Sequence, residues 1–280
     1  MRKKAFTLIA ALFLSGLAFQ VKASHYMGGE IIWQCLPNGN FRFILVVYRE
    51  CGGIQYGNTA TLESNSPAGN LTMHLYPNPT LGRVDLSPDC NGDPMFQHIY
   101  CMPYPPGNPT SNTGAVEEWT YTSDQAYPNG VQLNGVPPPN GWVFSFDGCC
   151  RNPCTNIPNS SSIDWFLRAV MYPYNNTNNY PCWDNSPVFI EKPSTVICTG
   201  YPFTYNHNAY DPELDSLSFE WAQPLDGAIN NPITNYNAGY SYTSPLPGPF
   251  HNPQNVASVV DPYTGEISFT SFTQGAFVTV

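Results

Sequence analysis

With 280 residues the chain has room for one or two domains, and 14% aromatic residues supply the material for hydrophobic cores. Only 11% of the residues are charged, against roughly 25% in an average soluble protein, so Asn, Ser, Thr, Tyr and Pro must carry much of the surface. Twenty acidic residues against ten basic ones weigh against nucleic acid and anionic lipid as partners and leave divalent cations compatible.

Arg2, Lys3 and Lys4 precede an almost unbroken apolar run over residues 5–19, and Val21-Lys22-Ala23 ends in small residues suited to cleavage before Ser24. The run is too short to span a bilayer comfortably, so residues 1–23 read as a signal peptide removed near Ala23. No later segment could cross a membrane as a helix, and the first cysteine, Cys35, lies too far on to take a lipid. The mature chain is therefore expected to be secreted or held at the outer cell surface, meeting the export machinery on its way. Without Arg2, Lys3, Lys4 and Lys22 it carries six basic residues against twenty acidic ones, a net charge of −14.

Residues 30–35 and 41–49 flank Pro37-Asn38-Gly39-Asn40, a turn signal between runs rich in β-branched and aromatic residues, and predict a hairpin. In its second strand both parities are apolar, Phe41, Phe43, Leu45 and Val47 on one and Ile44, Val46 and Tyr48 on the other, as a strand covered on both faces requires. Further strands are predicted over 71–76, 118–122, 141–146 and 165–172, each bounded by Pro, Gly, Asn or Asp. From 172 to 187 an Asn, Tyr and Pro mixture interrupts any ladder, and a domain boundary shortly after it is expected. Short strands over 203–206, 216–221, 257–260, 266–270 and 276–280 then fit a sandwich module. The predicted organisation is a signal peptide (1–23), an all-β, β-sandwich-type N-terminal domain (24–188) and an immunoglobulin/cadherin-like β-sandwich module (189–280). The last strand stops with the chain and has no polar tail, which predicts a longer parent protein.

Nine cysteines in an exported chain (Cys35, Cys51, Cys90, Cys101, Cys149, Cys150, Cys154, Cys182 and Cys198) predict a disulfide-stapled fold. There is no Cys-x-x-Cys pair, so the spacing does not suit a zinc site. Cys149 and Cys150 are adjacent, and each is expected to reach a different distant partner. One thiol must remain free or pair outside the segment.

The mature end Ser24-His25-Tyr26-Met27-Gly28-Gly29-Glu30, the run Val47-Tyr48-Arg49-Glu50-Cys51, and Cys149-Cys150-Arg151-Asn152 with Thr155-Asn156-Ile157 form one set of anchors. Asn185-Ser186-Pro187-Val188-Phe189, Tyr201-Pro202-Phe203-Thr204-Tyr205-Asn206 and Tyr210-Asp211-Pro212-Glu213-Leu214-Asp215-Ser216-Leu217 form another. In this combination the chain resembles large exported proteins of Bacteroidetes bacteria that usually end in a gliding-motility-associated C-terminal sorting domain. The resemblance implies general-pathway export, passage of the outer membrane by the type IX system, and a surface role of the adhesive or surface-layer kind. It supplies no catalytic residues.

Asp211, Glu213 and Asp215 stand at i, i+2 and i+4, so an extended segment would aim three hard oxygen ligands one way and make a candidate calcium edge. An acidic turn with Asp211 capping the backbone accounts for the same residues. Asp211-Pro212-Glu213-Leu214-Asp215 and Asp261-Pro262-Tyr263-Thr264-Gly265-Glu266 are similar to turns of cadherin-like modules, with Leu214 standing where such turns carry glycine. Tyr174, Tyr180 and Trp183, beside Tyr172, offer flat faces among Asn side chains and form a candidate glycan platform; a Pro-rich connector pinned by Cys182 is the other reading. His25, His74, His98, His207 and His251 are scattered, and no nucleophile elbow, phosphate loop or dinucleotide fingerprint is present. The functional expectation is a non-enzymatic β-domain protein with an adhesive or structural role. The carbohydrate-binding part of a larger polysaccharide-active protein is the alternative, with extracellular surfaces or glycans as partners and calcium as the one candidate cofactor.

Overall fold

The computed structural model describes residues 26–76, 82–87, 101, 115–173, 184–193 and 197–280. The predicted signal peptide (1–23), Tyr174, Tyr180, Trp183, Cys90 and Cys182 lie outside the described residues. The strands are β1 (Tyr26–Cys35), β2 (Phe41–Glu50), β3 (Thr59–Ser64), β4 (Leu71–Leu75), β5 (Arg83–Asp85), β6 (Val116–Thr122), β7 (Trp142–Gly148), β8 (Trp165–Met171), β9 (Val188–Phe189), β10 (Pro202–Tyr205), β11 (Ala209–Tyr210), β12 (Val256–Val260) and β13 (Ile267–Thr270). A single 3-10 turn, Ser160–Ser162, is the only helical element among the described residues, so the protein is all-β.

Every ladder between strands is antiparallel. The first eight strands form one sheet in the order β1-β2-β6-β4-β3-β7-β8, with β5 beside β6. This sheet folds over on itself. Tyr26 of β1 stacks on Trp165 of β8 with ring centroids 5.4 Å apart, and a side chain at Gly148 would run into the Tyr26 ring. The sandwich-like closure encloses one core in which Phe43, Leu45, Val47, Leu62, Leu71, Met73 and Phe144 have no exposed surface.

The predicted hairpin is present. Leu36 N–H donates to Asn40 O and Gly39 N–H to Leu36 O, both at 2.8 Å, and Gly39 takes the positive φ of 83° that the turn demands. As its two apolar parities require, β2 lies inside the sheet between β1 and β6. Its odd residues feed the main core, and Val46 and Tyr48 pack with Val116 on the opposite face. The segment 165–171, which could also be read as a short helix, is strand β8.

The second half carries a three-stranded sheet, β10-β13-β12, and the two-stranded pair β11-β9. Two predicted strands are corrected: 216–221 and 276–280 lie outside the strands. Their backbone partners are isolated ones, Phe219 N–H to Pro262 O, Thr155 N–H to Ala276 O and Ala222 N–H to Val280 O. Between these the final segment is held by a side chain, for the fully buried Asn156 donates to Val278 O (2.6 Å) and accepts from Val278 N–H (3.0 Å). An asparagine amide that offers both a donor and an acceptor thus replaces a ladder strand.

Seven of the nine cysteines lie among the described residues. Cys51 pairs with Cys101, Cys149 pairs with Cys150, and Cys35 is also disulfide-bonded. The adjacent pairing corrects the expectation of two distant partners: the peptide between the two residues is cis and their Cα atoms lie 3.0 Å apart. Cys154, half-buried in its own turn, and the exposed Cys198 are free, which corrects their assignment to bridges.

Candidate functional site

The edge of β1 builds the site. An edge strand presents unpaired backbone groups, and residues 185–186 cover them. Ser186 Oγ accepts from Trp33 N–H (3.0 Å), Ser186 N–H donates to Trp33 O (3.0 Å), and Asn185 Oδ1 accepts from Cys35 N–H (2.6 Å). Asn185 in turn gives its side-chain amide and its backbone N–H to the two carboxylate oxygens of Glu213. Segments about 150 residues apart in sequence are thereby locked side by side.

Between them lies a shallow cavity of about 230 Å3 whose lining includes Trp33, Val170, Tyr172, Asp184, Asn185 and Asp211. None of the described residues that line it is basic. Trp33 is 5% exposed, and its indole Nε1 has no hydrogen-bond partner. Burial, with Glu213, Asp211 and Asp215 nearby, pushes the Asp184 carboxyl up to about 6.

Of the three predicted calcium ligands, Asp211 is buried and its Oδ1 accepts from Glu213 N–H (3.0 Å) and Asp215 N–H (3.1 Å). It caps its own turn, in which Leu214 holds a positive φ of 65°. Glu213 is engaged by Asn185, and Asp215 is exposed. Among the described residues, the triads with metal-ligand atoms within 4.8 Å of one another are Cys51, Cys101, Glu117 and Cys149, Cys150, Asp164. Each contains a disulfide, and Asp211, Glu213 and Asp215 do not form such a group. The proposed glycan platform residues fall outside the described residues, but Tyr172 and Asp184, which flank that stretch, both line the cavity with Asp211. Trp33, Asp184 and Asn185 escaped sequence reading. The only signal was the run Asn185-Ser186-Pro187, whose partner strand is far away in the chain.

A second polar cluster lies on the outer face of the sheet. Tyr48 of β2 sits opposite Glu118 of β6, and Glu30 of β1 sits opposite Val46 on the same face. Lys192 Nζ reaches Glu118 Oε2 at 2.6 Å, and Phe189 N–H donates to Glu30 Oε2 at 3.5 Å. Tyr205 Oη donates to Lys192 O at 2.7 Å and lies 3.1 Å from His207 Nδ1. Burial is the largest effect throughout. It raises Glu30 to about 7 against the pull of Phe189 N–H and Lys192, raises Tyr205 to about 12, raises Tyr48 and lowers His207. These groups join the first sheet to Phe189 and Lys192.

Glu30 makes this junction pH-dependent. Between its ordinary value of 4.5 and about 7 the folded chain keeps a proton that the unfolded chain has released, so stability falls as pH rises through that window. The loss attributable to this one group is on the order of 1–3 kcal/mol. Urea unfolding at pH 5 and pH 8 should show Glu30→Gln gaining that amount relative to the unsubstituted chain only at the higher pH. An equal difference at both values would remove Glu30 as the cause.

A folded-over antiparallel sheet with a small acidic and aromatic cavity at its edge defines the chain as an all-β protein. No family model matches the chain, and no curated protein or solved structure matches it either.

Proposed function

We propose that this chain is a non-enzymatic exported protein of the cell surface, with an adhesive or structural role. The observation that carries the reading is the cavity at the β1 edge. Of its carboxylates Asp211 is committed to its turn, and the neighbouring Glu213 is held by Asn185, while aromatic and amide groups supply recognition surface. The signal-like leader and the family resemblance support export, with the type IX route as the proposed path across the outer membrane.

Carbohydrate recognition is the second reading, favoured by Trp33 and Tyr172 standing beside Asp184 and Asn185 in one cavity. Aromatic faces with adjacent hydrogen-bonding groups suit sugar rings. The test is to recover the protein from the surface of its native cells and to apply the mature, disulfide-intact chain to a glycan array. The expected results are an N-terminus at Ser24 and array binding without turnover of the bound glycans. Polysaccharide cleavage by the purified chain, abolished by a single Asp or Glu substitution, would overturn the non-enzymatic reading.

A further inference from the structure

The end of strand β7 brings two cysteines against one carboxylate. Gly148, the last residue of β7, pairs with Trp165 of β8, and past it Arg151 N–H donates to Ile163 O at 3.1 Å. Between these two fixed points of one antiparallel pair, Cys149 and Cys150 face a single residue, Asp164. Two residues against one is the count of a β-bulge, an irregularity that re-aims side chains and is common beside functional sites. The sulfurs of both cysteines and a carboxylate oxygen of Asp164 all lie within 4.8 Å of one another. Cys149 is exposed, and Cys150 and Asp164 are half-buried, so solvent reaches the group. Asp164 is held from elsewhere in the chain. Its N–H donates to Asp226 Oδ1 at 2.9 Å, and its side chain rests on Gly227, where an added Cβ would lie 3.1 Å from Oδ2. Among the described residues no hydrogen bond is donated to the Asp164 carboxylate, which leaves it available as a ligand.

A role as a staple does not account for this pair. In the chain-entropy model a disulfide stabilises by closing a loop in the unfolded chain, and the effect grows with loop length. The Cys51–Cys101 bridge has a sequence separation of 50, whereas Cys149–Cys150 has a separation of 1 and constrains almost nothing. What the pair can do is change its ligand character. A dithiol reductant supplies two electrons and two protons: the sulfur–sulfur bond breaks, two thiols form, and the reductant leaves as its own disulfide. The Gly148–Trp165 pair and the Arg151–Ile163 hydrogen bond do not depend on the disulfide, so both sulfurs stay beside Asp164 once the bond is open. Two thiolates and a carboxylate favour zinc or cadmium over calcium and magnesium. A tetrahedral ion about 2.3 Å from each sulfur and about 2.1 Å from the oxygen spans donor separations inside the 4.8 Å of this group, and the exposure of Cys149 leaves the fourth position to water. Binding displaces one proton from each thiol. Reoxidation by a disulfide oxidant takes the two electrons back and releases the ion.

We propose that Cys149 and Cys150, when reduced, form with Asp164 a redox-gated site for a thiophilic divalent cation of the zinc class. The test uses the mature chain carrying Cys154→Ser and Cys198→Ser, which removes the two free thiols. The chain is treated with a dithiol reductant, the reduced cysteines are mapped by alkylation and mass spectrometry, and cadmium chloride is titrated in. One equivalent is expected to bind with thiolate-to-cadmium ultraviolet absorption, at least a hundredfold more tightly than to the untreated chain. Adding Cys149→Ser and Cys150→Ser should abolish the absorption. Asp164→Asn should weaken binding at least tenfold while leaving the count of reduced thiols unchanged. Zinc chloride should displace the cadmium, and calcium chloride should not. Absorption that survives the Cys149→Ser, Cys150→Ser change would overturn the proposal, as would equal affinity before and after reduction. No uptake by a chain with the pair reduced, or loss of its β-type circular dichroism on reduction, would overturn it too. Unchanged affinity in Asp164→Asn would overturn the three-ligand site.

Discussion

Replacing Glu117 by Ala is expected to destabilise the protein by about 3–5 kcal/mol, the range for removing one partner of a buried ion pair. Glu117 and Arg49 are each 1% exposed and joined by both Arg49 Nε and Nη2. The other carboxylate oxygen takes Arg83 Nη2 at 2.8 Å, while Trp119 Nε1 donates at 2.7 Å to the oxygen that Arg49 also holds. Arg49 Nη1 reaches onward to Gly53 O (3.0 Å) and Ile54 O (3.1 Å), so the pair also pins the loop after β2. With Glu117 gone, two guanidinium groups lose their counter-charge, one of them fully buried. The midpoint of urea unfolding should fall with little change in slope. The combined Arg49→Met, Arg83→Met, Glu117→Leu variant should be more stable than Glu117→Ala alone, because the stranded charges are removed as well. A cost below about 1 kcal/mol for Glu117→Ala would show that the ion pair is hydrated after all.

Removing the Cys51–Cys101 bridge should cost about 4 kcal/mol by the chain-entropy model for a loop of its length, within the 2–5 kcal/mol typical of small exported domains. The bridge spans a sequence separation of 50 and ties the end of β2 to the region beyond β5, where Cys101 N–H donates to Asp85 Oδ2 at 2.9 Å. Unfolding of the Cys51→Ser, Cys101→Ser variant in urea gives the value directly. The two predictions are not independent, since both sulfurs and a Glu117 oxygen lie within 4.8 Å of one another. Neighbours this close couple, so the combined variants should depart from additivity by at least about 0.5 kcal/mol. Strict additivity would mean that the bridge and the ion pair brace separate parts of the fold.

Much of the first sheet could be read from local pattern because strands leave a local trace. The turn at Pro37–Asn40 and the two-sided apolar character of 41–48 predicted both the hairpin and the interior position of β2. Where the pattern misled, the backbone found another partner. The alternation at 216–221 and 276–280 is of strand type, yet Asn156 supplies the hydrogen bonds that a neighbouring strand would have made to the final segment. β3 went unread because only Leu62 is fully buried among its six residues, and β9 and β11 are two residues each.

The site was legible only in halves. The acidic turn at Asp211–Asp215 and the aromatic stretch beginning at Tyr172 could each be noticed, but nothing in either pointed to Trp33. That link depends on Ser186 and Asn185 covering a strand edge about 150 residues away in sequence.

The amino-acid sequence by itself determined the all-β class, the central hairpin and the acidic balance of the chain. These follow from composition and from residue periods of two, which need no knowledge of distant contacts. Only the tertiary structure decided which cysteines pair, that Glu117 lies buried between two arginines, and that Trp33, Asp184, Asn185 and Asp211 line one cavity. Such features arise where segments far apart in sequence are desolvated together. Their energetics are set by what each group finds on the other side, and one sequence does not name that partner.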